Sequence, residues 1–148
     1  MMNVSEIMTE KPACCSPDTP MRDAAQLMAD SDCGEIPVLD RNGQPVGVVT
    51  DRDIACRGVA KGMSSDDPVS EVMSSPVVTV TPETSVDDCC RTMEDNRIRR
   101  VPVVDDSGSC CGIVAQADIV RRESEDQAAA VVGDISEPTK EASAVGCC

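Results

Sequence analysis

A repeat at one fixed spacing constrains this chain more than any other feature. Residues 4–54 align with residues 69–119 at a constant offset of 65, without gaps, and 17 of the 51 aligned pairs are identical. VSEIM (4–8) meets VSEVM (69–73), Pro17-Asp18-Thr19 meets Pro82-Glu83-Thr84, and Met28 and Asp30 meet Met93 and Asp95. IPVLD (36–40) meets VPVVD (101–105), Gly43 and Gly47 meet Gly108 and Gly112, and Asp53-Ile54 meets Asp118-Ile119. Accidental recurrence of short apolar motifs does not hold one offset across separate blocks. The chain is a duplicated unit, and each copy must fold the same way.

Each copy reads as strand, helix, strand, strand, helix. A short extended segment (12–16 and 77–81) leads into a helix, with Thr19 and Thr84 expected as capping hydroxyls. Apolar residues then fall at 21, 24, 25 and 28, and again at 86, 89, 90 and 93, the i, i+3, i+4, i+7 stripe of a buried helix face. IPVL or VPVV follows as a strand, then a polar turn ending in Gly43 or Gly108, then a second strand (45–49 and 111–114). A second helix starts near Asp51 or Gln116. The fold class is therefore α/β, of the α+β kind: two β-α-β-β-α repeats expected to share a core through their sheets about a pseudo-twofold axis. About 50 residues alone bury little surface, so the copies should depend on each other. The boundaries expected are repeat 1 at 2–60, a linker at 61–68 and repeat 2 at 69–122. An acidic tail at 123–148 should hold a short helix near 125–135 before mobile last residues.

Composition excludes several functions. The chain has no His, Phe, Trp or Tyr, and carries 27 acidic against 13 basic residues, a net charge of −14. Without His, His-based triads and most catalytic zinc sites are out of reach. Without aromatics, no stacking platform for single strands exists. The negative field opposes duplex DNA and anionic membrane surfaces. No apolar run approaches the ~20 residues of a membrane span, and the N-terminus lacks the basic-then-apolar order of a secretion signal. The expectations are no nucleic-acid partner, no membrane partner and a cytoplasmic location. So acidic a surface also suits high salt.

These motifs carry a family likeness. With VSEIM/VSEVM, IPVLD/RRVPVVD and the closing GVVTDRD (47–53) and GIVAQAD (112–118), the chain resembles a tandem pair of CBS (cystathionine-β-synthase-type) domains, a Bateman module, over about residues 2–122. The resemblance implies non-enzymatic, regulatory binding of adenosine-containing ligands (AMP, ADP, ATP, S-adenosylmethionine or NAD) in clefts between the repeats, with no required cofactor. It further implies a homodimer in the form of a CBS disk and an unidentified protein target that reads the change. Carried over residue by residue, Asp53 and Thr50 serve one cleft and Asp118 the other, where Ala115 departs from the hydroxyl of the pattern. Arg99 and Arg100 match the phosphate-contacting position, replaced by Gly34-Glu35 in the first repeat. Ile36, Pro37, Val101 and Pro102 supply the aliphatic walls.

Physical chemistry is consistent with that division of labour. A carboxylate accepts two hydrogen bonds from a cis-diol, and guanidinium groups pair bidentately with phosphate. Arg99, Arg100 and Arg52 would have to offset the protein's own negative field. Simpler readings stand beside each assignment. Asp53 and Asp118 could cap their helices, Thr50 could bond its own backbone, and the arginines could be solvated. No nucleophile–base pair and no phosphate-cradling glycine loop occurs, so no catalytic residue is assigned. The rival functions are a dimerising structural or stress-response module that binds no nucleotide, and a thiol-based redox module. Ten cysteines, eight of them in adjacent pairs, prompt the latter. The repeat argues against it: Cys89 and Cys90 stand where Ala24 and Ala25 stand, Cys15 opposite Val80, Cys33 opposite Ile98, Cys111 opposite Val46. Cysteine here substitutes for small apolar residues. No C-x-x-C spacing occurs, so no metal site is expected; Cys147 and Cys148 are the pair best placed for oxidation.

Overall fold

The computed structural model describes residues 2–122. The expected tail helix near 125–135, the mobile end and Cys147-Cys148 lie outside the described residues. The chain separates into two compact units. The first unit is built on the first repeat and comprises residues 12–77 and 108–110; the second comprises residues 2–11, 78–107 and 111–122.

The first unit contains helix α1 (Met21–Ser31), strands β2 (Glu35–Leu39) and β3 (Pro45–Thr50), and the short α2 (Asp51–Asp53), which continues as a π-helical turn over Ile54–Gly58. The second contains β1 (Thr9–Glu10), α3 (Val86–Asn96), β4 (Arg100–Val104), β5 (Cys110–Ala115) and α4 (Gln116–Arg122). β2 and β3 form an antiparallel hairpin, Ile36 opposite Val49 and Glu35 opposite Thr50. The second unit's sheet runs β1-β5-β4. The segments 12–16 and 77–81 are not ladder strands. Each makes one parallel bridge, Cys15 to Val38 and Val80 to Val103.

The offset of 65 persists in the hydrogen bonds. Leu39 N–H donates to the Cys15 carbonyl at 2.8 Å, and Val104 N–H to the Val80 carbonyl at 2.8 Å. Asp51 N–H donates to the Gly34 carbonyl at 2.9 Å, and Gln116 N–H to the Arg99 carbonyl at 2.8 Å. The compact units do not coincide with the sequence repeats, however. VSEIM packs in the unit built on repeat 2, where Val4 N–H donates to the Thr84 carbonyl at 2.8 Å and Thr9 pairs with Ile113. VSEVM packs in the unit built on repeat 1, where Val69 N–H donates to the Thr19 carbonyl at 2.9 Å and Ser74 bridges Val48. Each repeat therefore lends its opening segment to the other's unit. Gly47 and Gly112 make this approach possible: a Cβ on Gly47 would lie 2.8 Å from the Ser74 carbonyl oxygen, and one on Gly112 3.0 Å from the Thr9 carbonyl oxygen.

The two cores match by register. Val4, Ile7, Val86, Cys89, Met93, Val101, Val103 and Val114 fill the second unit. Val69, Val72, Met21, Ala24, Met28, Ile36, Val38 and Val49 fill the first. Two expectations need correction. Ala25 is exposed although its counterpart Cys90 is 2% exposed, so the first helix buries a narrower stripe, widened instead by half-buried Leu27. Thr19 and Thr84 do not cap the helices. Their hydroxyls accept from Ser16 N–H and Thr81 N–H at 3.0 Å, closing the preceding turn. The N-caps are Pro20, with no side-chain bond, and Ser85, whose hydroxyl accepts from Asp88 N–H at 3.1 Å. The expected linker 61–68 is anchored at its end, since Met21 N–H donates to the Asp67 carbonyl at 2.9 Å and Arg22 pairs with Asp66.

Candidate functional site

In the second unit, β5 ends at Ala115 and α4 begins at Gln116, with Asp118 as its third residue. One carboxylate oxygen of Asp118 accepts from Ala115 N–H at 2.8 Å, which satisfies a helix-end donor that would otherwise lack a partner. The other oxygen meets the Arg121 guanidinium one turn later. The Asp118 side chain is 9% exposed and that of Arg121 is 70% exposed. Hydrogen-bonding partners of this kind offset the cost of enclosing a carboxylate. Beside it opens a cavity of about 260 Å³ lined by Ile7, Thr9, Asp118 and Arg121. A second, more open hollow of about 440 Å³ is lined by Gln116, Ala117, Val120 and Arg121, so Arg121 borders both.

In the first unit, Thr50 and Asp53 form a reciprocal capping box. Thr50 N–H donates to the Asp53 carboxylate at 3.0 Å, and Asp53 N–H donates to the Thr50 hydroxyl at 2.9 Å. Arg57 Nε lies 3.8 Å from the Asp53 carboxylate, and Arg57 Nη1 donates to the Val72 carbonyl at 3.3 Å. The Thr50 oxygen is thus occupied as an acceptor while its O–H remains available as a donor. In the second unit Ala115 supplies no hydroxyl, and only the aspartate half of the box forms.

The structure therefore gathers Thr50 with Asp53, and Ala115 with Asp118, each pair at a strand-to-helix junction. Arg99 reaches the second junction through its backbone; its side chain is exposed, and Arg100, the first residue of β4, is half-buried. Ile36 and Val101 are sealed in the cores at 1% and 0% exposure. Pro37 and Pro102 are buried, and their carbonyls accept from Cys15 N–H and Val80 N–H, both at 3.1 Å. Sequence reasoning missed Ile7, Thr9 and Arg121. Arg121 had a signal, three residues beyond Asp118 on a helix. Ile7 and Thr9 had none, because they reach the site from the opposite repeat.

Cys15, Cys33, Cys89, Cys90 and Cys111 lie in or against the two cores. Cys89 and Cys90 are buried, Cys14 is exposed while its neighbour Cys15 packs against the core, and burial pushes the Cys89 thiol up to about 12. Among the described residues, no cluster of three metal-ligating side chains occurs and no helix is long and apolar enough to cross a membrane.

The chain is similar to known proteins over most of its length. The CBS domain matches the chain twice, at residues 4–57 and 69–125. The CBS domain-containing protein YhcV of Bacillus subtilis is 39% identical over 137 residues, 92% of this chain and 96% of that protein. Among solved structures, the CBS domain pair of protein MJ0100 in complex with 5′-methylthioadenosine and S-adenosyl-L-methionine is 29% identical. Its TM-score is 0.73, with 82% of this chain and 94% of that one covered. CBSX2 in complex with AMP is 28% identical with a TM-score of 0.72, covering 82% of this chain and 95% of that one.

Proposed function

The chain belongs to the CBS domain family, and from that premise we propose that it is a non-enzymatic regulatory module that binds an adenosine-containing ligand at the Asp118 and Asp53 junctions. The observation that carries this reading is the Asp118 cavity. An enclosed carboxylate, fixed at one oxygen by Ala115 N–H and at the other by a solvent-facing guanidinium, borders about 260 Å³ of open space. Each carboxylate oxygen has further lone-pair capacity, so Asp118 can accept the two hydroxyls of a ribose without losing its backbone bond. Asp53 offers the same carboxylate with the Thr50 hydroxyl beside it. The relatives that hold 5′-methylthioadenosine, S-adenosylmethionine and AMP support the ligand class. Output would follow from population shift: a ligand favouring one arrangement biases a homodimer, or a protein target that reads it, in the cytoplasm.

The test is thermal denaturation with AMP, ATP, 5′-methylthioadenosine, S-adenosylmethionine and NAD. A bound ligand stabilises by RT ln(1 + [L]/Kd), about 2.7 kcal/mol at a hundredfold excess over Kd. Asp118→Asn retains an acceptor for Ala115 N–H but weakens diol recognition, and should reduce the gain while the protein stays folded. No shift with any of the five would contradict the reading. It would favour a dimerising module without nucleotide, for which one observation speaks: both carboxylates have backbone and arginine partners within the chain.

A further inference from the structure

We propose that Arg121 sets the ligand charge preference of the Asp118 site, selecting 5′-phosphorylated adenosine over its uncharged 5′-substituted analogues. This rests on the nucleoside reading above and goes beyond it in assigning the phosphate to a residue outside the RRVPVVD motif. The chain carries a net charge of −14, and Asp118 adds a negative charge inside the cavity itself, so an incoming phosphate meets repulsion at long and short range. Arg121 is the cation that contacts Asp118 and lines its cavity. Its side chain is 70% exposed while that of Asp118 is 9% exposed, so the guanidinium is free to swing towards solvent only when other donors take its place on the enclosed carboxylate. It lines both the Asp118 cavity and the 440 Å³ hollow, so its side chain is accessible from either.

Ligand exchange follows from this layout. Ribose hydroxyls replace the guanidinium as partners of Asp118, and the released guanidinium pairs with the 5′-phosphate in a fork geometry. A neutral 5′-group offers the guanidinium nothing in return, so the ion pair with Asp118 is lost without replacement. The first unit is built otherwise. Arg57 donates to the Val72 carbonyl as well as facing Asp53, so turning it towards a phosphate would cost a backbone hydrogen bond in addition to the ion pair. Charge selection therefore belongs to the Asp118 junction.

Isothermal titration of the full chain with AMP and with 5′-methylthioadenosine, in wild type, Arg121→Gln and Arg121→Lys, tests this. The AMP-to-methylthioadenosine affinity ratio should fall by about tenfold or more in Arg121→Gln, the scale of a lost charge-assisted hydrogen bond. Arg121→Lys, which keeps the charge without the fork, should fall between. A ratio unchanged in Arg121→Gln, with both ligands still bound, would overturn the assignment and leave the nucleoside site standing. Binding of neither ligand to wild type would overturn both. Ligand binding unaffected by Asp118→Asn would place the ligand elsewhere and overturn the role of Arg121.

Discussion

At the scale of single residues, the two junctions differ by one hydroxyl. Thr50 completes a capping box with Asp53, whereas Ala115 leaves its box half made. Thr50→Val should cost about 1 kcal/mol in urea unfolding, and Ala115→Thr should gain up to about 1 kcal/mol, the usual range for a cap. Both aspartates were legible in the sequence as chemistry and as caps. The structure shows the caps, and under the proposed function each carboxylate has acceptor capacity left for a ribose. The buried thiols give a second prediction. Burial, with neighbouring Cys90 adding to it, pushes Cys89 up to about 12 from 9.0, and burial with Cys14 pushes Cys15 up to about 11. In the unfolded chain these thiols lose protons from about pH 9, while in the folded chain they keep them. Stability is therefore intact below about pH 9 and declines as pH rises toward 11–12, at up to about 1.4 kcal/mol per pH unit for each thiol. Chemical denaturation at pH 8 and pH 10.5 reads this, and Cys89→Ala should flatten the decline. A stability independent of pH across that interval would show that the thiols are not buried.

At the scale of elements, periodicity foretold the helices and hairpins because side-chain spacing determines them locally. It did not foretell which unit each opening segment joins. VSEIM and VSEVM are nearly the same string, so nothing in either distinguishes β5 from β3 as a partner; only the long-range contact decides. The narrower stripe of α1 has a similar cause. Ala25 is small enough for solvent or core, so its place follows from packing, whereas Cys90 in α3 is taken inside. The exchange of opening segments makes a prediction of its own. Gly112→Ala puts a methyl 3.0 Å from the Thr9 carbonyl oxygen and 2.7 Å from Met8 Sδ, and should destabilise the protein by about 1–3 kcal/mol. Amide exchange at Thr9 and Glu10 should rise with it, because among the described residues β1 pairs with β5 alone. An exchange increase confined to β4 would contradict the pairing.

At the scale of the whole molecule, duplication gives two junctions of common design that have diverged: one with a hydroxyl and an arginine tied to backbone, one with an open cavity and an arginine free to turn outward. Under the proposed function, such a molecule would hold the same nucleoside in two places with different regard for its charge. Assigned amide NMR during titration with AMP tests the central claim most directly, because the Ala115 N–H donates straight to the Asp118 carboxylate that would take up the ribose. A saturable shift of the Ala115 amide, with smaller movements at Thr9 and Arg121, is the result expected. A titration that leaves Ala115 in place while other amides move, or that moves none, would contradict it.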